Sequence, residues 1–85
     1  MNNKLEIFKK KLIYRAGYRG TKEMDILLSS FVNKYIDTFD DNLLLELEKF
    51  LNFEDEIILN FYNKGFIQEK IDKNEISKVF KNFKL

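Results

Sequence analysis

Apolar positions recur every three or four residues along almost the whole chain, the spacing of helices that each bury one face. Leu5, Phe8 and Leu12 share one side of a first helix over about Lys4 to Arg15, which Gly17 and Gly20 then loosen or end. From about Thr21 to Ile36 the stripe is broadest, with Met24, Leu27, Leu28, Phe31, Val32 and Tyr35 on one face, and this is the predicted centre of the core. Asp40 is placed to cap a third helix by accepting from its free first-turn amides, with Phe39 ahead of it packing back on Leu44. Leu43, Leu44, Leu47, Phe50 and Leu51 form that helix's predicted buried face. Glu54-Asp55-Glu56 stands where a fourth helix begins, since the helix dipole favours negative charge there by a few tenths of a kcal/mol per residue. Ile57, Ile58 and Phe61 face inward on it, and Gly65 ends it.

A fifth helix is predicted from Asp72 as cap, with Glu75 three residues later as its reciprocal partner and Ile71 and Ile76 as a hydrophobic staple. Ile76, Val79, Phe80 and Phe83 would dock it. No segment alternates in the manner of a strand, and the chain has no proline to break a helix. The predicted fold class is therefore all-α: one domain over residues 1–85, a compact bundle of about five short helices on short connections.

At 85 residues there is room for one core and little more. An aromatic content of 15% helps so small a domain hold together, because each ring buries a large area. The nine phenylalanines and four tyrosines cannot all be interior, and some of Tyr14, Tyr18, Tyr62 and Phe66 are expected at the surface. The absence of cysteine excludes a disulfide framework, thiolate catalysis and a sulfur-based zinc site, and the absence of histidine removes the commonest general base and metal ligand. What remains does not point to an enzyme, and no catalytic residue or metal site is assigned. The longest apolar runs, such as Leu43-Leu44-Leu45, are far short of the roughly 20 residues that cross a bilayer. The start, Met1-Asn2-Asn3-Lys4-Leu5-Glu6, lacks the apolar core of a secretory signal, and the expected location is the cytoplasm of a bacterium.

The net charge of +1 conceals a polarity. Residues 1–22 hold seven cations against Glu6, whereas residues 23–60 hold ten acids against Lys34 and Lys49. A basic end beside an acidic middle can orient a charged partner, although a solvated helical surface would carry the same charges.

One segment departs from bundle filler: Tyr14-Arg15-Ala16-Gly17-Tyr18-Arg19-Gly20-Thr21-Lys22-Glu23-Met24-Asp25. It holds both arginines of the chain, against thirteen lysines elsewhere and within it. Arginine suits planar, bidentate recognition, so its confinement here points to a partner-binding corner, with Arg15, Tyr18, Arg19, Gly20, Glu23 and Asp25 as the candidate residues. The structural alternative is a loop in which Arg19 pairs with Glu23 four residues on, worth about 0.3–0.5 kcal/mol.

Arg19-Gly20-x-x-Glu23, followed by Met24-Asp25 and an apolar run, resembles the signature of the SdhE (YgfY) family of FAD assembly factors. The likeness runs from about residue 8 to residue 66, through Phe31, Tyr35, Asp40-Asp41, Phe50-Leu51 and Asn63-Lys64-Gly65. It implies a five-helix assembly factor that binds the flavoprotein subunit of succinate dehydrogenase, or its fumarate reductase relative, and promotes covalent FAD attachment to a client histidine. In that reading Arg19, Gly20 and Glu23 lie at the contact surface, no cofactor is held stably, and the free factor is a monomer that does not insert in membranes. Gly20→Arg would then spare folding and abolish client flavinylation. The sequence departs from the family at Glu54-Asp55-Glu56, where an acidic-proline-acidic turn is usual, and in having no tryptophan.

The alternative to it is a small helical nucleic-acid-binding or generic protein-interaction module. A nucleic-acid-binding helix-turn-helix would use the basic first residues, but the acidic middle and a pI near 7.9 argue against it. A hydrolase using Glu23 and Asp25 is opposed by their spacing, because residues two apart on a helix do not share a face. A resident dinucleotide site is opposed by the lack of any G-x-G-x-x-G after a strand.

Overall fold

In the computed structural model, which describes residues 3–85, five helices follow one another: α1 (Asn3–Ala16), α2 (Lys22–Tyr35), α3 (Asp41–Leu51), α4 (Asp55–Lys64) and α5 (Glu75–Lys81). Single 3-10 turns at Ile36–Thr38 and Ile71–Lys73 lead out of α2 and into α5, and the described residues contain no strand. The all-α expectation holds. The signal-sequence reading rests partly on Met1 and Asn2, which lie outside the described residues.

The helix boundaries have local causes. Thr21 is extended and caps α2, its hydroxyl accepting from the Met24 amide, and Asp40 caps α3 by accepting from Leu43 at 2.9 Å. Gly65 ends α4 in the left-handed conformation at φ 72°, where a side chain would be strained.

The start of α5 corrects the sequence reading. Asp72 sits inside the 3-10 turn, and the cap is Asn74, whose Oδ1 accepts from the Ser77 amide at 3.0 Å. Asn74 is buried because its Nδ2 also donates to the Glu46 carbonyl of α3, and Glu46 Oε1 in turn accepts from the Glu75 amide. The capping acceptor was thus chosen by a tertiary contact with α3, which a local capping rule does not see. Asn74→Ala is expected to cost about 2 kcal/mol, a cap plus the tertiary hydrogen bond to the Glu46 carbonyl, and urea denaturation followed by circular dichroism would measure it.

The buried faces are those the periodicity predicts: Leu12, the α2 stripe from Met24 to Val32, and Leu44, Leu47, Phe50, Leu51, Ile58, Phe61, Ile76, Phe80 and Phe83. α1 packs on α2 and α3, while α5 closes the bundle against α3 and α4. The centre is aromatic. Phe80 stands edge-on to Phe31 with ring centroids 5.0 Å apart, and lies 5.2 Å from Phe50 and 4.7 Å from Tyr62. Tyr62 is half-buried with its hydroxyl donating to the Phe83 carbonyl at 2.7 Å, whereas Tyr14, Tyr18 and Phe66 are exposed, as expected of that group.

Candidate functional site

α1 ends at Ala16, which is fully buried, and the Gly17 amide closes the last turn by donating to the carbonyls of Ile13 and Tyr14. The chain then crosses to the Thr21 cap of α2 through Tyr18, Arg19 and Gly20. Tyr18 leaves the helix and folds back so that its ring stacks on Tyr14 at 4.4 Å, both rings facing solvent at 71% and 63% exposure. Ile7, also exposed, continues this apolar strip along α1, where it borders a shallow groove of about 380 Å³ rimmed by Lys10, Lys11 and Arg15.

Arg19 turns the other way. Its Nε donates to Asp55 Oδ1 at 2.8 Å, one terminal nitrogen donates to the Leu51 carbonyl at 2.7 Å, and the other to the Phe53 carbonyl at 2.8 Å. These acceptors form the turn between α3 and α4. Leu51 is the last residue of α3, whose carbonyls have no partner within the helix, and Asp55 is the first of α4. A cation therefore meets a helix C-terminus and its carboxylate partner meets a helix N-terminus, both favoured by the helix dipoles. The Arg19 side chain is only 10% exposed, so these are sheltered charge-assisted bonds, each worth about 1.5–3 kcal/mol where such bonds have been measured. The backbone amide of Arg19 donates to Asp25, and Arg15 donates to Asn52 on the same α3–α4 turn.

The six candidate residues thus divide. Tyr18, Gly20 and Glu23 are presented to solvent; Arg15, Arg19 and Asp25 are bonded within the fold. Arg19 does not pair with Glu23, because Arg19 precedes the cap of α2 and four-residue spacing has meaning only within a helix. Glu23 makes no hydrogen bond or ion pair among the described residues. Gly20 has φ +122°, a conformation that L side chains rarely adopt, yet no atom lies within 4 Å of where its Cβ would stand. Its need for glycine inside the fold is conformational, and the space outside it is open. Glu23 and Asp25, weighed as a carboxylate pair, do not act together, since Asp25 is spent on the Arg19 amide.

Sequence reasoning did not single out Asp55 and Asn52 as part of this corner. The acidic run at 54–56 was a visible signal, but its partner lies 36 residues away and no local rule connects them. Among the described residues no cluster of carboxylates is arranged to hold a metal, and no helix is long and apolar enough to cross a membrane.

Residues 10–84 match the Sdh5 family model, described as flavinator of succinate dehydrogenase. The mitochondrial succinate dehydrogenase assembly factor 2 of Scheffersomyces stipitis is 35% identical over 78 residues, covering 91% of this chain and 52% of that protein. Its counterpart in Debaryomyces hansenii is 31% identical over 78 residues, covering 91% and 55%. The mitochondrial assembly factor 2-B of Drosophila ananassae is 37% identical over 51 residues, covering 60% and 31%. The chain thus spans about half or less of the length of these curated relatives. No solved structure matches it at a significant level.

Proposed function

This chain belongs to the Sdh5 family, the flavinators of succinate dehydrogenase, and from that premise we propose that it binds the flavoprotein subunit of succinate dehydrogenase and promotes covalent attachment of FAD to it. The observation that carries the reading is the corner between α1 and α2. There Gly20 and Glu23, the exposed members of the Arg19-Gly20-x-x-Glu23 signature, are presented to solvent, and the same connection carries a stacked, exposed Tyr14–Tyr18 pair. Exposed tyrosines are enriched at the centres of protein interfaces, and an unpaired carboxylate supplies a directional contact for an arginine or lysine of the client. The fumarate reductase flavoprotein, as a relative of the first client, is the second candidate partner.

The mechanism follows from what the chain lacks as chemistry and has as shape. It has neither histidine nor cysteine, and no activated nucleophile–base pair stands out among its carboxylates, lysines, tyrosines and hydroxyls. It acts by holding the client in the conformation that aligns the flavin with the client's own histidine, so that positioning lowers the barrier and the bond-making groups are the client's. On this reading the chain is not an enzyme, keeps no resident FAD and is monomeric when free. A cytosolic location in a bacterium is part of the same proposal; the relatives compared above are named as mitochondrial. Nucleic-acid binding is not favoured, since the family matched is that of a succinate dehydrogenase flavinator and residues 23–60 are acidic.

Co-expression of the chain with the apo-flavoprotein, followed by flavin fluorescence on a denaturing gel, tests this. Covalent flavin is expected to rise with the chain present, and an equal flavin band without it would refute the proposal. Glu23→Ala should leave stability within about 0.5 kcal/mol, being exposed and unpaired, while weakening client affinity at least about tenfold. Thermal melts and titration of the client measure the two effects separately.

A further inference from the structure

The loop that carries Gly20 owes little of its shape to packing. Gly20 is exposed, nothing approaches its α-carbon on the side a Cβ would occupy, and glycine is the residue with the widest choice of backbone conformations. What ties the loop down is Arg19, through its amide on Asp25 and its guanidinium on the α3–α4 turn. Of the guanidinium's acceptors, Leu51 and Phe53 offer backbone carbonyls that any sequence would supply, and Asp55 alone offers a side chain.

We infer that Asp55 is a positioning residue of the client-binding corner: through the Arg19 guanidinium it holds the 17–21 loop against the α3–α4 turn, so that Gly20 meets the client in a loop already ordered, ahead of Glu23 in the first turn of α2. This rests on the reading of the corner as the client site, and it changes the part that Arg19 plays in it. The guanidinium is a brace and not a client contact. It has three acceptors to satisfy on two successive helix ends, a demand met by a planar fork and not by the single ammonium of lysine. A protein whose competent conformation is populated only a fraction of the time binds its partner more weakly by that same fraction. Loosening the brace therefore appears as lost affinity even when every helix is intact.

The test is the dissociation constant for the apo-flavoprotein subunit at 10 °C. It would be measured for the full chain, Asp55→Ala, Arg19→Ala, the double variant and Asp55→Asn, with circular dichroism confirming that each is folded at that temperature. Global destabilisation alone does not move this constant while the chain stays folded. Asp55→Ala and Arg19→Ala are each expected to weaken binding by roughly tenfold, corresponding to a competent loop populated about a tenth of the time. The double variant should be no worse than the weaker single, because both remove the same brace. Asp55→Asn keeps an oxygen for the Nε proton and should stay within about threefold of the parent.

If Arg19→Ala binds weakly while Asp55→Ala binds normally, Arg19 touches the client itself and the inference is overturned. Normal binding by both, or losses that add in the double variant, also overturns it. Should Asp55→Ala or Arg19→Ala fail to fold, Asp55→Asn and Arg19→Lys replace them: a loss with Arg19→Lys larger than with Asp55→Asn supports the brace, and the reverse order refutes it. Glu23→Ala separates this from the larger reading. If Glu23→Ala and Gly20→Arg bind as tightly as the parent, the corner is not the client site; if they fail and Asp55→Ala does not, only the brace is wrong.

Discussion

Gly20→Arg is expected to remove covalent flavin from a co-expressed flavoprotein almost completely, and it is also expected to lower the stability of the free chain. The second effect revises the view that the substitution spares the fold. At φ +122° any L side chain is strained, at a cost on the order of 1–3 kcal/mol, although the absence of atoms within 4 Å means that no clash is added. In a domain of this size each kcal/mol lowers Tm by about 4–8 °C. Strain and obstruction are separated by Gly20→Ala, which has the same backbone cost and almost none of the bulk. The two variants should melt at similar temperatures, while Gly20→Arg loses far more flavinylation, because its side chain stands where the client would sit. Equal flavin loss in both, in proportion to the fall in Tm, would show that only loop conformation matters and that the client does not approach Gly20 closely.

Phe80→Ala should have the largest effect on stability of any single change, about 3–5 kcal/mol. Phe80 is fully buried, and its ring meets those of Phe31, Phe50 and Tyr62, drawn from α2, α3 and α4. Removing it opens a cavity where α5 docks, and the rings on three other helices cannot all move inward to fill it. Against the roughly 5–15 kcal/mol that holds a small domain together, and the lower end is apt for 85 residues, such a loss leaves a large unfolded fraction at 37 °C. Urea denaturation monitored by circular dichroism would give the figure; a loss under about 1.5 kcal/mol would mean that the aromatic centre is loosely packed. Phe80→Leu, which keeps most of the volume, should recover much of the stability.

The contrast between these two positions shows what can be read locally. Phe80 belongs to an apolar stripe whose period marks it as interior, whatever it packs on. Gly20 could be marked as special from its neighbours, but whether it served a turn, a close internal approach or an outside partner depended on its dihedral angle and surroundings. Asn74 and Asp72 make the same point at a helix start. Both are good caps by residue type, and the choice fell to Asn74 because it alone also reaches the Glu46 carbonyl of α3.

Arg19 was legible as a residue of note and misleading in direction. Its isolation with Arg15 among so many lysines marked a place where several acceptors are met at once, which is where arginine is favoured. Those acceptors could equally have belonged to a partner. That they belong to Leu51, Phe53 and Asp55 follows from how α3 and α4 meet beside the end of α1, and contacts made across more than thirty residues leave no periodic trace.

By itself, then, the sequence determined the class of fold, the positions of five helices and the faces they bury, because helix periodicity, caps and glycines act through neighbours a few residues away. It also excluded thiol and imidazole chemistry, and its signature at Arg19-Gly20-x-x-Glu23 marked the corner that the family match then covered. Only the tertiary structure decided which members of that signature face solvent and which is bonded within the fold. The reason is physical: a side chain's direction is set by where its hydrogen-bond partners stand in space, and for Arg19 those partners come from another pair of helices.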